Sequence, residues 1–219
     1  MKTSIKTLRT AVAFVVMASA CSSGGQATTT TPSGAVQSSE AVATAVLDAL
    51  TAGDARTAAA NTIEEQMVWL AMAEGASLQE AAGLLDGGAH SVAVNYWTGF
   101  TQLGEVPPVA ISSIMETTIG DHMFAVVSLG GADTLRLVLR SEPEWKVDVV
   151  ASFGSTLAAR LADAVEVVAA NSGDGADRLR LVLGDQRDSV EMAFADTGLN
   201  ESARQALAHL ADSLENMSS

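Results

Sequence analysis

The chain has 219 residues and a formal net charge of −14 at pH 7, because 26 acidic residues outnumber 12 lysines and arginines. An apolar fraction of 48% is enough to offset chain entropy by burial, which excludes a disordered acidic tail. The single cysteine excludes an internal disulfide framework and a cysteine-based zinc cluster. A chain this acidic lacks the basic surface that neutralises phosphates, so nucleic acid is not an expected partner.

The first twenty residues have the pattern of an export signal. Lys2, Lys6 and Arg9 give a basic start without an acid, and the apolar run 11–20 (AVAFVVMASA) follows. The run is shorter than the roughly 20 residues that a membrane-spanning helix needs, and it ends in small residues, as a signal peptidase requires. We therefore predict that residues 1–20 are a signal peptide and that the protein is exported.

The cysteine stands directly after this signal. The segment 18–25 (ASACSSGG) resembles a bacterial lipobox, in which the cysteine becomes the lipid-modified first residue of the mature chain, although Ala18 stands where that family usually has leucine. The resemblance implies palmitate or similar acyl chains on Cys21 and attachment to the outer face of the cytoplasmic membrane, or to the outer membrane of a diderm host. The alternative is ordinary cleavage after Ala20, which leaves a free thiol.

Removal of the signal would also change the charge, because it takes away three bases and no acid and leaves a formal −17. Anionic headgroups repel such a protein, so attachment would depend on the lipid and not on a basic patch. Residues 21–37 are rich in serine, threonine and glycine and contain one proline. We interpret them as a flexible tether.

Helical periodicity begins at Ser38 and Ser39 and ends at Gly53. A second helix is predicted after the cap Asp54, continuing with a bend towards Gly75. A third opens at a capping-box pattern, SLQE at 77–80. Segment 90–103 fits either alternation or a helix face, and we favour a helix.

The period changes to two beyond residue 108, which predicts strands over 111–119, 122–129, 134–140 and 145–150. Tight turns between them predict an antiparallel meander. Placing both apolar faces of the last two strands on one core requires Leu139 to face Val147, with an odd-length connection or a bulge near Pro143. Both faces of the first hairpin are mixed, so each side of the sheet should be covered.

The tail returns to helical spacing. Helices are predicted through Leu157–Val168, over 177–183 and 188–195, and over 201–216 behind the cap Asn200. The pentapeptide LRLVL occurs at 135–139 and again at 179–183; we predict a strand for the first copy and a helix for the second. The predicted domains are 38–152 for an α+β domain and 153–219 for a helical extension packed on it.

Helices followed by a curved meander that ends in EWKVD (144–148) resemble the NTF2-like, or SnoaL-like, cone fold. The resemblance covers roughly residues 40–150 and implies a bent four-stranded antiparallel sheet around N-terminal helices, with a pocket at the open end. In that family an Asp/His pair and an aromatic lining act on a bound carbonyl or epoxide. The corresponding candidates are as follows: His122, Asp148 and Glu116 as acid–base groups, and Trp69, Tyr96, Trp97, Phe124 and Trp145 as pocket lining.

The residues alone favour a structural role for these candidates, because His122 follows a turn and tryptophans usually occupy cores. The three histidines are far apart and lack zinc-ligand spacing, so we predict no metal site and no cofactor. We accordingly expect a lipid-anchored, non-enzymatic binding or interaction module whose partner is an envelope protein or a small apolar ligand. The alternatives are an acid–base isomerase or cyclase of the SnoaL-like class and an apolar-ligand carrier.

Overall fold

The computed structural model describes residues 37–103, 110–130 and 136–218, which belong to one compact unit. The predicted signal peptide, Cys21 and residues 22–36 of the predicted tether lie outside the described residues. Among the described helices, none combines the length and the apolar character needed to cross a membrane.

The N-terminal part is helical, as predicted, and segment 90–103 is confirmed as a helix. The helices are α1 Ser39–Thr51, α2 Ala55–Ala60, α3 Glu64–Ala73, α4 Leu78–Leu84 and α5 Ala89–Gln102. Ser38 and Asp54 cap α1 and α2, and Ser77 and Glu80 form the predicted capping box. The bent second helix is instead two helices, because Ile63 donates its N–H to the carbonyl of Val147 in the sheet and leaves helical geometry.

The sheet has four antiparallel strands in the order β1-β2-β3-β4. They are β1 Ala110–Ile119, β2 His122–Gly130, β3 Leu137–Glu142 and β4 Glu144–Val147. The two-residue turn at Gly120 and Asp121 is confirmed, since Ile119 pairs with His122. The predicted register of the last hairpin is also confirmed: Leu139 pairs with Val147, and Pro143 alone separates the paired residues Glu142 and Glu144.

The third and fourth strands differ most from the prediction. The fourth strand was predicted to reach Val150 but ends at Val147, because the carboxylate of Asp148 accepts the N–H of Ala151 and starts a helix. The third strand begins at Leu137 and continues to Glu142. Residues 134 and 135 of its predicted start lie outside the described part of the chain.

Both faces of the sheet are covered, as the mixed hairpin predicted. The main core contains Leu137, Leu139 and Val147 from one face together with Trp69 and Trp97 from the N-terminal helices. On the opposite face Phe124 and Val138 form a second buried cluster with Ala151 and Met192. The molecule is therefore an α+β protein whose sheet lies between two layers of helical side chains.

The C-terminal part is helical, and the helical prediction for the second LRLVL copy is confirmed. The helices are α6 Val149–Ala169, α7 Asp174–Gly184, α8 Arg187–Phe194 and α9 Glu201–Met217, with Asn200 capping α9 as predicted. The predicted domain boundary between residues 152 and 153 lies inside α6. Because Val150, Leu157 and Leu161 of this helix belong to the main core, the helix connects both predicted segments.

Candidate functional site

The most concentrated group of ionisable side chains surrounds His122, the first residue of β2. The His122 side chain is only 18% exposed, and its Nδ1 lies 2.8 Å from Oδ2 of Asp188. Its Nε2 lies 3.9 Å from Oε1 of Glu142 and 3.8 Å from Oδ1 of Asp185. One imidazole is therefore enclosed by three carboxylates; we call His122, Glu142, Asp185 and Asp188 the His122 cluster.

Three local structures bring this cluster together. The β1–β2 turn places His122, the end of β3 places Glu142, and the α7–α8 junction supplies Asp185 at the end of α7 and Asp188 in the first turn of α8. Gly120 in the turn has φ of +55°, and a Cβ there would lie 2.4 Å from Asp188 Oδ1. Asp188 also accepts the N–H of Asp121. The turn therefore needs glycine both for its left-handed backbone and for the close approach of Asp188.

Arg140 forms the inner side of the cluster and is fully buried. Its Nη2 contacts Glu142 Oε1 and lies 3.4 Å from Asp185 Oδ2, while its Nη1 donates to Ser189 Oγ at 3.0 Å. Its Nε lies 3.8 Å from Asp148 Oδ2, beyond hydrogen-bond distance. The guanidinium thus holds both carboxylates that face His122 Nε2.

Asp148 has a second set of contacts at the first turn of α6. Its Oδ1 accepts from Ala151 N and from Gln66 Nε2, and its Oδ2 accepts from Ser189 Oγ at 2.6 Å. Gln66 Oε1 accepts the N–H of Val149 at 2.8 Å, and that of Val150 at 3.3 Å. These side chains satisfy the free N–H groups of a buried helix end, so Asp148 has a structural role there.

The charge of the region is unbalanced. Arg140 is the arginine that contacts these acids, and His122 is neutral unless it is protonated. Burial raises the pKa of Glu142 above its ordinary value, and the negative charges of Asp185 and Glu65 add to this, whereas Arg140 and His122 act in the opposite direction. The carboxylates are thus held close together with less positive charge than they would need for neutrality.

The three predicted acid–base candidates contact different parts of the molecule. The His122 ring nitrogens lie within 4 Å of carboxylate oxygens of Asp185, Asp188 and Glu142. Asp148 caps the start of α6 and does not lie in a strand. Arg140 lies between Asp148 and the His122 cluster. Glu116 is exposed on β1 and accepts a hydrogen bond from Ser39 Oγ at 2.8 Å.

The five aromatic candidates are divided between the two faces of the sheet. Trp69, Trp97 and Trp145 are buried in the main core, whereas Phe124 lies in the cluster on the opposite face. Trp69 donates to the carbonyl of Leu161. Tyr96 is partly buried and packs edge-on against Trp97, and burial raises the pKa of its phenol.

Two open depressions lie elsewhere on the surface. One of about 550 Å³ lies between the start of α1 and β1, and Ser39, Ile111, Ile114 and Glu116 line it. Another of about 310 Å³ lies between α8 and α9, with Val190, Phe194, Ala211 and Leu214 among its lining residues. Glu116 lines the first of these depressions, and His122 lines neither.

We found no matching family model, no matching curated protein and no matching solved structure for this chain.

The residues that complete the cluster could not be recognised from the sequence. Asp185 and Asp188 lie more than 60 residues beyond His122, where α7 ends and α8 begins. Their sequence, DQRD at 185–188, is typical of an exposed junction between two helices and gives no sign of a site. The one available signal is Arg140, a charged residue in an apolar strand that also contains Val138 and Leu139. A buried strand position occupied by arginine requires acidic partners from elsewhere in the fold.

Proposed function

We propose that this chain is a lipid-anchored protein of the bacterial cell envelope that acts as a binding module through its surface. The observation that carries the proposal is the packing of the interior. Trp69 and Trp97 have no exposed surface and share one core with Leu137, Leu139 and Val147 of the sheet. This close packing of the interior supports a role at the surface over one that needs an internal ligand cavity.

Hydrogen bonds fix both tryptophans in that position. Trp97 Nε1 donates to Thr62 Oγ1 at 2.8 Å, and Trp69 Nε1 donates to the carbonyl of Leu161 at 3.0 Å. Trp97 also makes edge-on ring contacts with Tyr96, Phe100 and Phe153. Moving either indole to admit a ligand would leave a buried donor unpaired, at a cost of about 1–3 kcal/mol.

The architecture supports an NTF2-like origin for the fold as part of this proposal. The order of elements, with helices before a four-stranded antiparallel meander, agrees with that family. The helices α6 to α9 would then be an addition to the basic fold. In this interpretation the added helices cover the second face of the sheet through Ala151 and Met192.

The anchor is tested at Cys21 in the native host. We expect mass spectrometry of the membrane-extracted protein to find a chain that begins at Cys21 and carries acyl chains, and we expect a metabolic fatty-acid label to be incorporated. Cys21→Ser should abolish the label, whereas the neighbouring control Ser22→Ala should retain it. Recovery of the full-length, unprocessed chain from the cytosol, or of a free thiol at Cys21, would contradict the anchor.

The filled interior is tested separately with a fatty acid as the apolar probe. We expect no saturable change in tryptophan emission when the protein is titrated, because the indoles of Trp69 and Trp97 already occupy the core. A saturable change that disappears in Trp97→Phe would support the carrier alternative instead.

A further inference from the structure

We propose that His122, Glu142 and Asp185 form a binding site for a divalent transition-metal ion, with His122 Nε2, Glu142 Oε1 and Asp185 Oδ1 as the protein ligands. One ligand atom from each of the three residues lies within 4.8 Å of the other two. The proposal rests on the proposed function as a surface binding module, because it names a metal ion as one ligand of that surface.

The spacing of the three atoms is close to that of a metal site. Zinc ligands about 2.0–2.2 Å from the ion lie about 3.4 Å from one another in a tetrahedron. The separations of 3.9 and 3.8 Å from His122 Nε2 exceed this by about half an ångström. Small rotations of Glu142 and Asp185, whose side chains are 24% and 54% exposed, would close that difference. The same exposure leaves room for water as a further ligand.

Each protein ligand is already oriented by a second side chain, which is typical of metal sites. Asp188 Oδ2 lies 2.8 Å from Nδ1 of His122, so the neutral ring donates from Nδ1 and presents its lone pair at Nε2. Arg140 contacts Glu142 Oε1 and Asp185 Oδ2. A carboxylate oxygen has two lone pairs, so Glu142 Oε1 can accept from Arg140 and still bind a metal.

The charge of the cluster favours a cation. Glu142, Asp185 and Asp188 bring three negative charges, and Arg140 supplies one positive charge to this group. One divalent ion would therefore balance the remaining negative charge of these four side chains while the imidazole stays neutral.

The ligand set also indicates the kind of ion. Imidazole nitrogen suits zinc and other late first-row ions, whereas calcium and magnesium are bound by oxygen. Zn²⁺ is therefore the first ion to test, with Mn²⁺ and Ca²⁺ as comparisons. The three ligands come from β2, β3 and the α7–α8 connection, so a bound ion would join segments that are distant in sequence.

The test is equilibrium dialysis and calorimetric titration of the full chain with Zn²⁺, using a tag without histidine and the Cys21→Ser background to remove the thiol. We expect one Zn²⁺ per chain. His122→Gln should lower the affinity at least 100-fold. Asp188→Asn should lower it about 10- to 100-fold, because it disturbs the orientation of the ring and removes no ligand.

The matched control is His209→Gln, which removes another histidine that also pairs with an acid: His209 Nε2 lies 3.5 Å from Glu166 Oε1 on an exposed surface. This variant should bind Zn²⁺ as the parent does. Circular dichroism and urea unfolding of each variant, without metal, show whether it folds. Binding should also weaken on acidification, because a protonated imidazole has no lone pair at Nε2 with which to bind the ion.

Equal Zn²⁺ affinity in the parent and in folded His122→Gln would overturn the proposal, as would equal losses in His122→Gln and His209→Gln. Binding of Ca²⁺ with no preference for Zn²⁺ would also overturn it, because the imidazole would then have no role. The outcome is independent of the anchor, since acylation of Cys21 is measured in membranes. Failure of the metal site would leave the proposed envelope location intact.

Discussion

Arg140 Nε lies 3.8 Å from Asp148 Oδ2, and neither side chain has more than 1% of its surface exposed. This separation is too long for a hydrogen bond, and Nε of Arg140 is a buried nitrogen without a hydrogen-bond partner among the described residues. The two charges therefore attract each other without direct bonding, while Ser189 bonds to both. This buried pair joins the His122 cluster to the start of α6.

Replacing the buried arginine should be strongly destabilising. Arg140→Met leaves Asp148 and Glu142 without their cation, and breaking a buried pair in this way costs about 3–5 kcal/mol. Urea unfolding measures the loss. The matched control is Arg160→Met, because Arg160 pairs with Glu74 on an exposed surface and should cost less than about 1 kcal/mol. Similar losses in the two variants would contradict the importance of burial.

Gln66 should be equally sensitive to replacement by an apolar residue of similar size. Gln66→Leu removes the acceptor for the N–H groups of Val149 and Val150 and the donor to Asp148. Unpaired buried groups cost about 1–3 kcal/mol each, so we expect a loss of at least about 2 kcal/mol in unfolding free energy. Gln205→Leu on the exposed face of α9 is the control and should change stability by less than about 0.5 kcal/mol.

Gly120 offers a way to separate backbone strain from side-chain displacement. Gly120→Ala strains a backbone at φ +55° and pushes Asp188 away from His122, because the new Cβ would lie 2.4 Å from its carboxylate. Gly53→Ala is the control, with φ +70° and no atom within 4 Å of the new Cβ. Both should lose about 1–2 kcal/mol from left-handed strain, and Gly120→Ala should lose more. Nitrogen-15 NMR of His122 should change in Gly120→Ala alone.

The raised pKa of Glu142 has a defined consequence for stability. A carboxyl that titrates above its ordinary value of 4.5 in the folded state binds more protons there than in the unfolded chain. Its contribution to folding is therefore present at low pH and is lost as the pH rises from about 4.5 through the folded pKa. We expect the difference in unfolding free energy, wild type minus Glu142→Gln, to fall as the pH rises across this range. Both proteins are measured in the presence of a chelator, so that no bound metal contributes.

Glu80 provides a control of opposite sign. Hydrogen bonds from the side chain and backbone of Ser77 lower the pKa of Glu80 below its ordinary value of 4.5. Its contribution is present above that pH and is lost as the pH falls through the lowered pKa. The difference between wild type and Glu80→Gln should therefore decrease on acidification. Slopes of the same sign for the Glu142 and Glu80 variants would contradict one of the two assignments.

Much of the secondary structure followed from short-range patterns. Asp54, Ser77 and Asn200 cap helices as predicted, because a cap depends on a side chain reaching N–H groups two or three residues away. The pairing of Leu139 with Val147 was also predictable, since a shift of one residue would turn an apolar face to solvent.

The misplaced end of β4 and the His122 cluster depend on distant residues. Val149 and Val150 have strong strand propensity, but Gln66, more than 80 residues earlier, accepts their N–H groups and allows the helix to begin. Asp185 and Asp188 meet His122 because α8, which follows Asp185, packs against the sheet hairpin. Neither contact leaves a local pattern in the sequence.

The one-residue connection at Pro143 leaves the inward face of β4 insensitive to the exact length of the turn. A residue inserted there would give a two-residue turn between Glu142 and Glu144, the commonest hairpin connection, and Val147 would still face Leu139. Only a one-residue slip of the pairing itself would set Lys146 against Leu139 and expose the apolar side of β4. We therefore expect the fold to accept single insertions at this turn.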